Sequence, residues 1–168
     1  MAVRHHILPD HGFVLSCLSG ALDDAGIHGH VSALNERLAD ASAVLELADC
    51  RTLRDLRGLS VQALISAANR EAGQPRIQGG RLAVVVSSDL VYGLGRVYTT
   101  IAAEVGRAAE VFRDVDAALD WLGDGPWRAE VEALLEAGVC RDAATQARDD
   151  RPRAEPERAP APRAETRE

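Results

Sequence analysis

The chain reads as an α/β protein built on a mixed sheet of four to five strands, and three observations say so. Two short apolar runs, residues 3–8 and 13–18, flank Pro9-Asp10-His11-Gly12, where proline presets φ and glycine relieves the strained turn position; this is the pattern of an antiparallel hairpin. After it, strand-like runs alternate three times with helical spacing, and each crossover helix returns the chain in the same direction, so the later strands run parallel. The run Leu82-Ala83-Val84-Val85-Val86 lacks the alternation of a half-wet strand, which places it in the middle of a sheet covered on both faces.

The elements follow in order. Ile27, Val31, Leu34 and Leu38 recur at helical steps and mark the first helix. Residues 43–48 form the next strand. Val61, Leu64, Ile65 and Ala68 mark a second helix, which Gly73 and Pro75 stop. Beyond the central strand, Ser87-Ser88-Asp89 supplies N-cap chemistry for a third helix striped by Leu90, Leu94, Val97, Ile101 and Val105. Residues 110–113 form a short last strand. Asp114 caps a helix carrying Val115, Ala118, Leu119 and Leu122, residues 123–126 break it, and residues 127–139 add an accessory helix through Val131, Leu134 and Leu135.

Domain organisation follows from composition. With 168 residues the chain has room for one core and an appendage. The reading assigns an α/β domain to residues 1–123, the accessory helix to 124–140, and a disordered polyampholyte tail to 141–168. That tail holds seven arginines, seven acids and four of the seven prolines, with no Val, Ile, Leu, Met or aromatic residue to bury.

Composition also removes function classes. The net charge of -7 and only six aromatic residues argue against a nucleic-acid surface. All 19 basic residues are arginine, which excludes lysine Schiff-base chemistry and a phosphate loop ending in Gly-Lys-Ser/Thr. Three widely spaced cysteines without a Cys-x-x-Cys predict a reduced, cytoplasmic protein in which Cys17 and Cys50 are small buried hydrophobes. No apolar stretch approaches the roughly 20 residues of a membrane span.

A resemblance to a known family enters at residues 82–123. The strand, then Ser87-Ser88-Asp89-Leu90-Val91-Tyr92-Gly93-Leu94-Gly95-Arg96, then Val111-Phe112-Arg113-Asp114 and Ala117-Ala118-Leu119-Asp120-Trp121-Leu122, resembles the bacterial STAS-like proteins related to anti-sigma-factor antagonists. Ala43-Val44-Leu45-Glu46-Leu47 sits where that family has an aliphatic strand with an acid near its end, so the similarity spans most of residues 10–123. It implies a small domain with helices mainly on one face, used for protein interaction or for holding a small ligand, and not known for catalysis. Phosphorylation switches of this kind carry Asp-Ser-Ser/Thr-Gly before the second helix. Here the region reads Arg54-Asp55-Leu56-Arg57-Gly58-Leu59-Ser60, without that element, and Ser60 is the hydroxyl left as a candidate phosphosite beside its plain role as an N-cap.

Ligands of open α/β sheets gather beyond the carboxyl ends of the strands. The loops there carry Asp23, Asp24, His28 and His30; Asp49, Arg51, Arg54 and Arg57; and Ser87, Ser88, Asp89 and Tyr92. A helix N-terminus offers free N–H groups, so Ser87, Ser88, Asp89, Tyr92 and Arg96 are the candidate ligand- or partner-binding residues. No metal site is expected, because His5 and His6 face opposite ways on a strand and His28 and His30 are wrongly spaced on a helix. No cofactor is expected either. Gly-x-Ser-x-Gly is absent, and Gly93-Leu94-Gly95 lacks the third glycine of a dinucleotide fingerprint; Gly93 reads instead as a point of close helix approach. The sequence therefore predicts a non-enzymatic, STAS-like regulatory or protein-interaction module that pairs with a protein or with its own copy. The alternative is a carrier of a small apolar or acidic ligand, with a pocket between sheet and helices; an enzyme using Asp23, His28 or Asp89 as acid or base ranks last.

Overall fold

Pro9 opens a single 3-10 turn and Gly12 closes it with φ +58°, a left-handed conformation that glycine adopts without penalty. This turn joins β1 (Ala2–Leu8) to β2 (Phe13–Ala21), paired antiparallel with Leu8 opposite Phe13. The computed structural model describes residues 2–141. After the hairpin come α1 (Asp24–Arg37), β3 (Leu45–Asp55), α2 (Val61–Glu71), β4 (Arg81–Val85), α3 (Asp89–Glu104), β5 (Ala108–Phe112), α4 (Val115–Leu122) and α5 (Arg128–Glu136). The five strands lie side by side in chain order, and every pair after the hairpin is parallel. The chain is thus an α/β domain with a five-stranded mixed sheet, as its periodicities predict.

Strand alternation assigns the two faces. On β4, Leu82, Val84 and Val86 point into one core with Ala48 and Cys50 of β3, roofed by α1, α2 and α3. Ala83 and Val85 point the other way, with Phe13, Leu15 and Leu47, into a core closed by α4 and α5. Three helices therefore share one face, and the opposite face is covered as well. Residues 124–140 supply that second core with Trp127, Val131 and Cys140, and the Trp127 ring stacks on Phe13 with centroids 4.3 Å apart. The tail expected over 141–168 lies, beyond Arg141, outside the described residues.

Three expectations are corrected. The strand expected to end at residue 48 runs on to Asp55, because its second half keeps pairing with β2 through two register shifts. Cys17 is not a reduced thiol. Strand alternation turns it into the second core, where it meets Cys140 in a disulfide with Cα atoms 4.8 Å apart, leaving Cys50 as the free cysteine. Gly93 is not the close-approach glycine, since a Cβ there would meet nothing within 4 Å. That role falls to Gly95, whose added Cβ would sit 3.2 Å from Val111 Cγ2 on β5.

Candidate functional site

Within the face roofed by α1, α2 and α3, the side chains do not close up. A cavity of about 70 Å³ remains, walled by apolar groups such as Leu18, Ile27, Leu53, Leu64, Val84 and Val91, with His30, Glu46, Tyr98 and Arg107 among its lining. Sheet geometry explains the placement of the acid. Residues 46, 48 and 50 of β3 share one face by the two-residue period, so Glu46 enters the same layer as Ala48 and Cys50.

A buried charge in that position must be paired, and Glu46 is paired on three sides. Its carboxylate accepts hydrogen bonds from Ser16 Oγ at 2.7 Å and from Arg107 Nη2 at 2.5 Å, and His30 Nε2 stands 3.5 Å away. Arg107 reaches across with its other terminal nitrogen, Nη1, to Glu71 Oε1 at 2.6 Å. Glu71 in turn accepts from Arg76 Nη2 at 2.6 Å and from the Tyr98 hydroxyl at 2.9 Å. Arg76 Nε donates to Asn35 Oδ1 at 3.0 Å. At the outer end, His5 Nε2 and His30 Nδ1 are 2.9 Å apart. Glu46, Glu71, Arg76 and Arg107 are each 2% exposed or less. One ionic network therefore ties β1, β2, β3, α1, α2 and α3 to the turns that carry Arg76 and Arg107.

The protonation states follow from these surroundings. Burial disfavours the charge on Glu46, but Arg107, His30 and Arg76 outweigh it and hold its carboxyl at about 2. Burial likewise opposes the charge on Arg107, and Glu71 and Glu46 override it, so the guanidinium stays charged. His30 is pushed down by burial against the pull of Glu46, and His5 is lowered to about 4 by burial and then by His30. Both rings are neutral at pH 7. A proton on His30 Nε2 faces the Glu46 carboxylate, which makes Nδ1 an acceptor and His5 Nε2 the donor. Burial and Glu71 push the Tyr98 phenol up, so it keeps its proton and donates it.

The sequence-predicted residues lie elsewhere, on the exposed rim at the start of α3. Ser88 caps the helix by accepting from Val91 N, and Ser87 Oγ donates to the Arg51 carbonyl at 2.8 Å. Asp89 pairs with Arg113, whose guanidinium covers the Tyr92 ring at 4.7 Å, and Arg96 pairs with Glu110 on β5. The cavity takes Val91, Leu94, Gly95 and Tyr98 from the same helix. Ser60 caps α2 by accepting from Ala63 N and also donates to Asp24 Oδ2 at 3.0 Å. Asp23 caps α1 through Gly26 N. Among the described residues no cluster of His, Cys, Asp and Glu is arranged to hold a metal ion.

Sequence reasoning missed Glu71, Arg76 and Arg107 altogether. One signal was present, the single carboxylate at position 46 inside an aliphatic strand. On the opposite side, a wider concavity of about 360 Å³ is lined by Asp49, Arg51, Val115, Leu135 and Cys140, among others. Its buried acid Asp49 is already held by Arg51 at 2.7 and 3.0 Å. No helix of the described residues is long and apolar enough to cross a membrane.

No protein-family model matches the chain, and no curated protein matches it. Among solved structures it is similar to an uncharacterized protein from the DUF3478 family with a SpoIIAA-like fold, from Shewanella loihica PV-4. The two share 21% sequence identity over 72% of this chain and 92% of that one, with a TM-score of 0.49.

Proposed function

We propose that this domain holds a small apolar molecule between its sheet and helices α1, α2 and α3, and does so without catalysis. The observation that carries the reading is the apolar cavity of about 70 Å³ beside a fully paired ionic network. Close-packed interiors keep few voids larger than a water molecule, so a space of about 70 Å³ between sheet and helices is room that an occupant can fill. At roughly 10–15 Å³ per water-sized group, the space suits a molecule of about five or six heavy atoms. The neighbouring polar groups are almost all bonded to one another, which favours holding a ligand over transferring its protons.

The test is an NMR titration of the full chain with benzene, following the methyl groups of Ala48, Leu64, Val84 and Val91. Saturable shifts at these methyls, and otherwise only at methyls lining the cavity, are expected. Methyls that do not respond up to the solubility limit of benzene would remove the reading.

A second reading, a regulatory module that binds another protein or its own copy, is favoured by a different observation. Leu90 is 65% exposed on the first turn of α3, in the midst of Ser87, Ser88, Asp89, Tyr92 and Arg96. Its test is cross-linking in host extract with wild type and with Leu90→Asp. A partner captured by wild type and lost in the variant supports this reading, and capture that ignores the substitution counts against it.

A further inference from the structure

We infer that the molecule held in the cavity carries a neutral acceptor-only group, a ketone, ester or ether oxygen, which takes the hydrogen bond of Arg107 Nε–H. The inference rests on reading the cavity as a binding site. Three side-chain atoms among the described buried groups have no hydrogen-bond partner: His6 Nε2, His28 Nδ1 and Arg107 Nε. Only Arg107 of these three residues lines the cavity. Its terminal nitrogens are committed to Glu71 and Glu46, so the guanidinium is fixed by two carboxylates from different elements. The remaining N–H is an unpartnered donor, held in place by those two bonds, on a residue that lines the cavity and is 2% exposed. A guanidinium has five such hydrogens in a rigid fork, and it cannot turn to satisfy Nε without releasing one carboxylate.

The ledger of the network decides which acceptor fits. Two carboxylates, Glu46 and Glu71, face two guanidiniums, Arg76 and Arg107, and with neutral His5 and His30 the charges cancel. A ligand carboxylate would add an uncompensated negative charge beside a network whose buried charges already cancel, and burying an unpaired charge is costly. A hydroxyl or amine would bring a donor of its own, which would have to share a side-chain oxygen that already accepts from a protein group. A carbonyl or ether oxygen accepts one hydrogen bond, adds no charge and needs no acceptor in return.

The experiment uses matched probes on the full chain: cyclopentane, cyclopentanone, cyclopentanol and cyclopropanecarboxylate. For the three neutral probes each association constant is divided by the probe's own water-to-cyclohexane partition coefficient, so that hydrophobicity cancels, and the carboxylate is compared by its bare association constant. A hydrogen bond to a charged donor predicts that cyclopentanone exceeds cyclopentane on this scale by at least about tenfold. The Arg107 Nε–H resonance is expected to move with the ketone and stay still with the hydrocarbon. Equal corrected affinities, with that resonance unmoved, overturn the inference and leave the cavity a purely apolar site. Preference for the carboxylate or the alcohol overturns it in favour of a charged or donor-bearing ligand. Failure of all four probes overturns both this inference and the reading on which it rests.

Discussion

Arg107 joins carboxylates that sit 61 and 36 residues away in the chain, so each acid depends on a cation that also serves the other. Removing one member of such a buried set leaves a charge with no partner. Glu71→Gln is therefore expected to lower the unfolding free energy by about 3–5 kcal/mol, read from urea denaturation. The outer end of the network sets an acid limit. His5 falls from 6.5 to about 4 on folding, in a setting shared with His30, Glu46, Arg37 and His6. Between those values the unfolded chain binds the extra proton, so stability is full above pH 6.5 and declines as pH drops toward 4. Glu46, held at about 2 against an ordinary 4.5, adds a second decline from pH 4.5 downward. The urea midpoint should fall from about pH 6.5 to pH 4, and His5→Gln should make that fall shallower while His30 keeps its share. The sequence displayed Glu46 as an oddity but not its partners. A single carboxylate in an aliphatic strand announces that a cation is needed, while the choice of Arg107 among the arginines is made by packing.

At the scale of elements, α3 depends on which of two glycines faces the sheet. Gly93 is exposed and its missing side chain faces open space, whereas Gly95 lies against Val111. Gly93→Ala is expected to raise stability by roughly 0.5–1 kcal/mol through helix propensity. Gly95→Leu is expected to lower it by about 1–3 kcal/mol through overpacking, both read as shifts in the denaturation midpoint. Periodicity marked the right helix and could not rank glycines two residues apart, because the rank depends on how α3 is turned over β5. The hairpin, the parallel strands and the caps at Ser60, Ser88 and Asp114 were all legible, since each rests on neighbours in sequence. The second half of β3 was not, because residues rich in arginine and aspartate stay in the sheet only by pairing with β2.

For the whole molecule, the sheet with three helices on one face and two on the other encloses two cores, and the Cys17–Cys140 disulfide fastens the second. Closing so long a loop restricts the unfolded chain more than the folded one, so Cys140→Ser, or reduction of the wild type, should cost about 2–5 kcal/mol in chemical denaturation. An odd number of cysteines, two of them 123 positions apart, gave the sequence no means of choosing this pair. The same bond also reroutes mechanical load. A tension applied between the two ends of the chain passes along residues 1–17, crosses the sulfur bridge and leaves along residues 140–168, so residues 18–139 lie off the line of force. Single-molecule pulling should then show a contour gain confined to the two short end segments in the oxidised protein, and the full length of the domain once it is reduced.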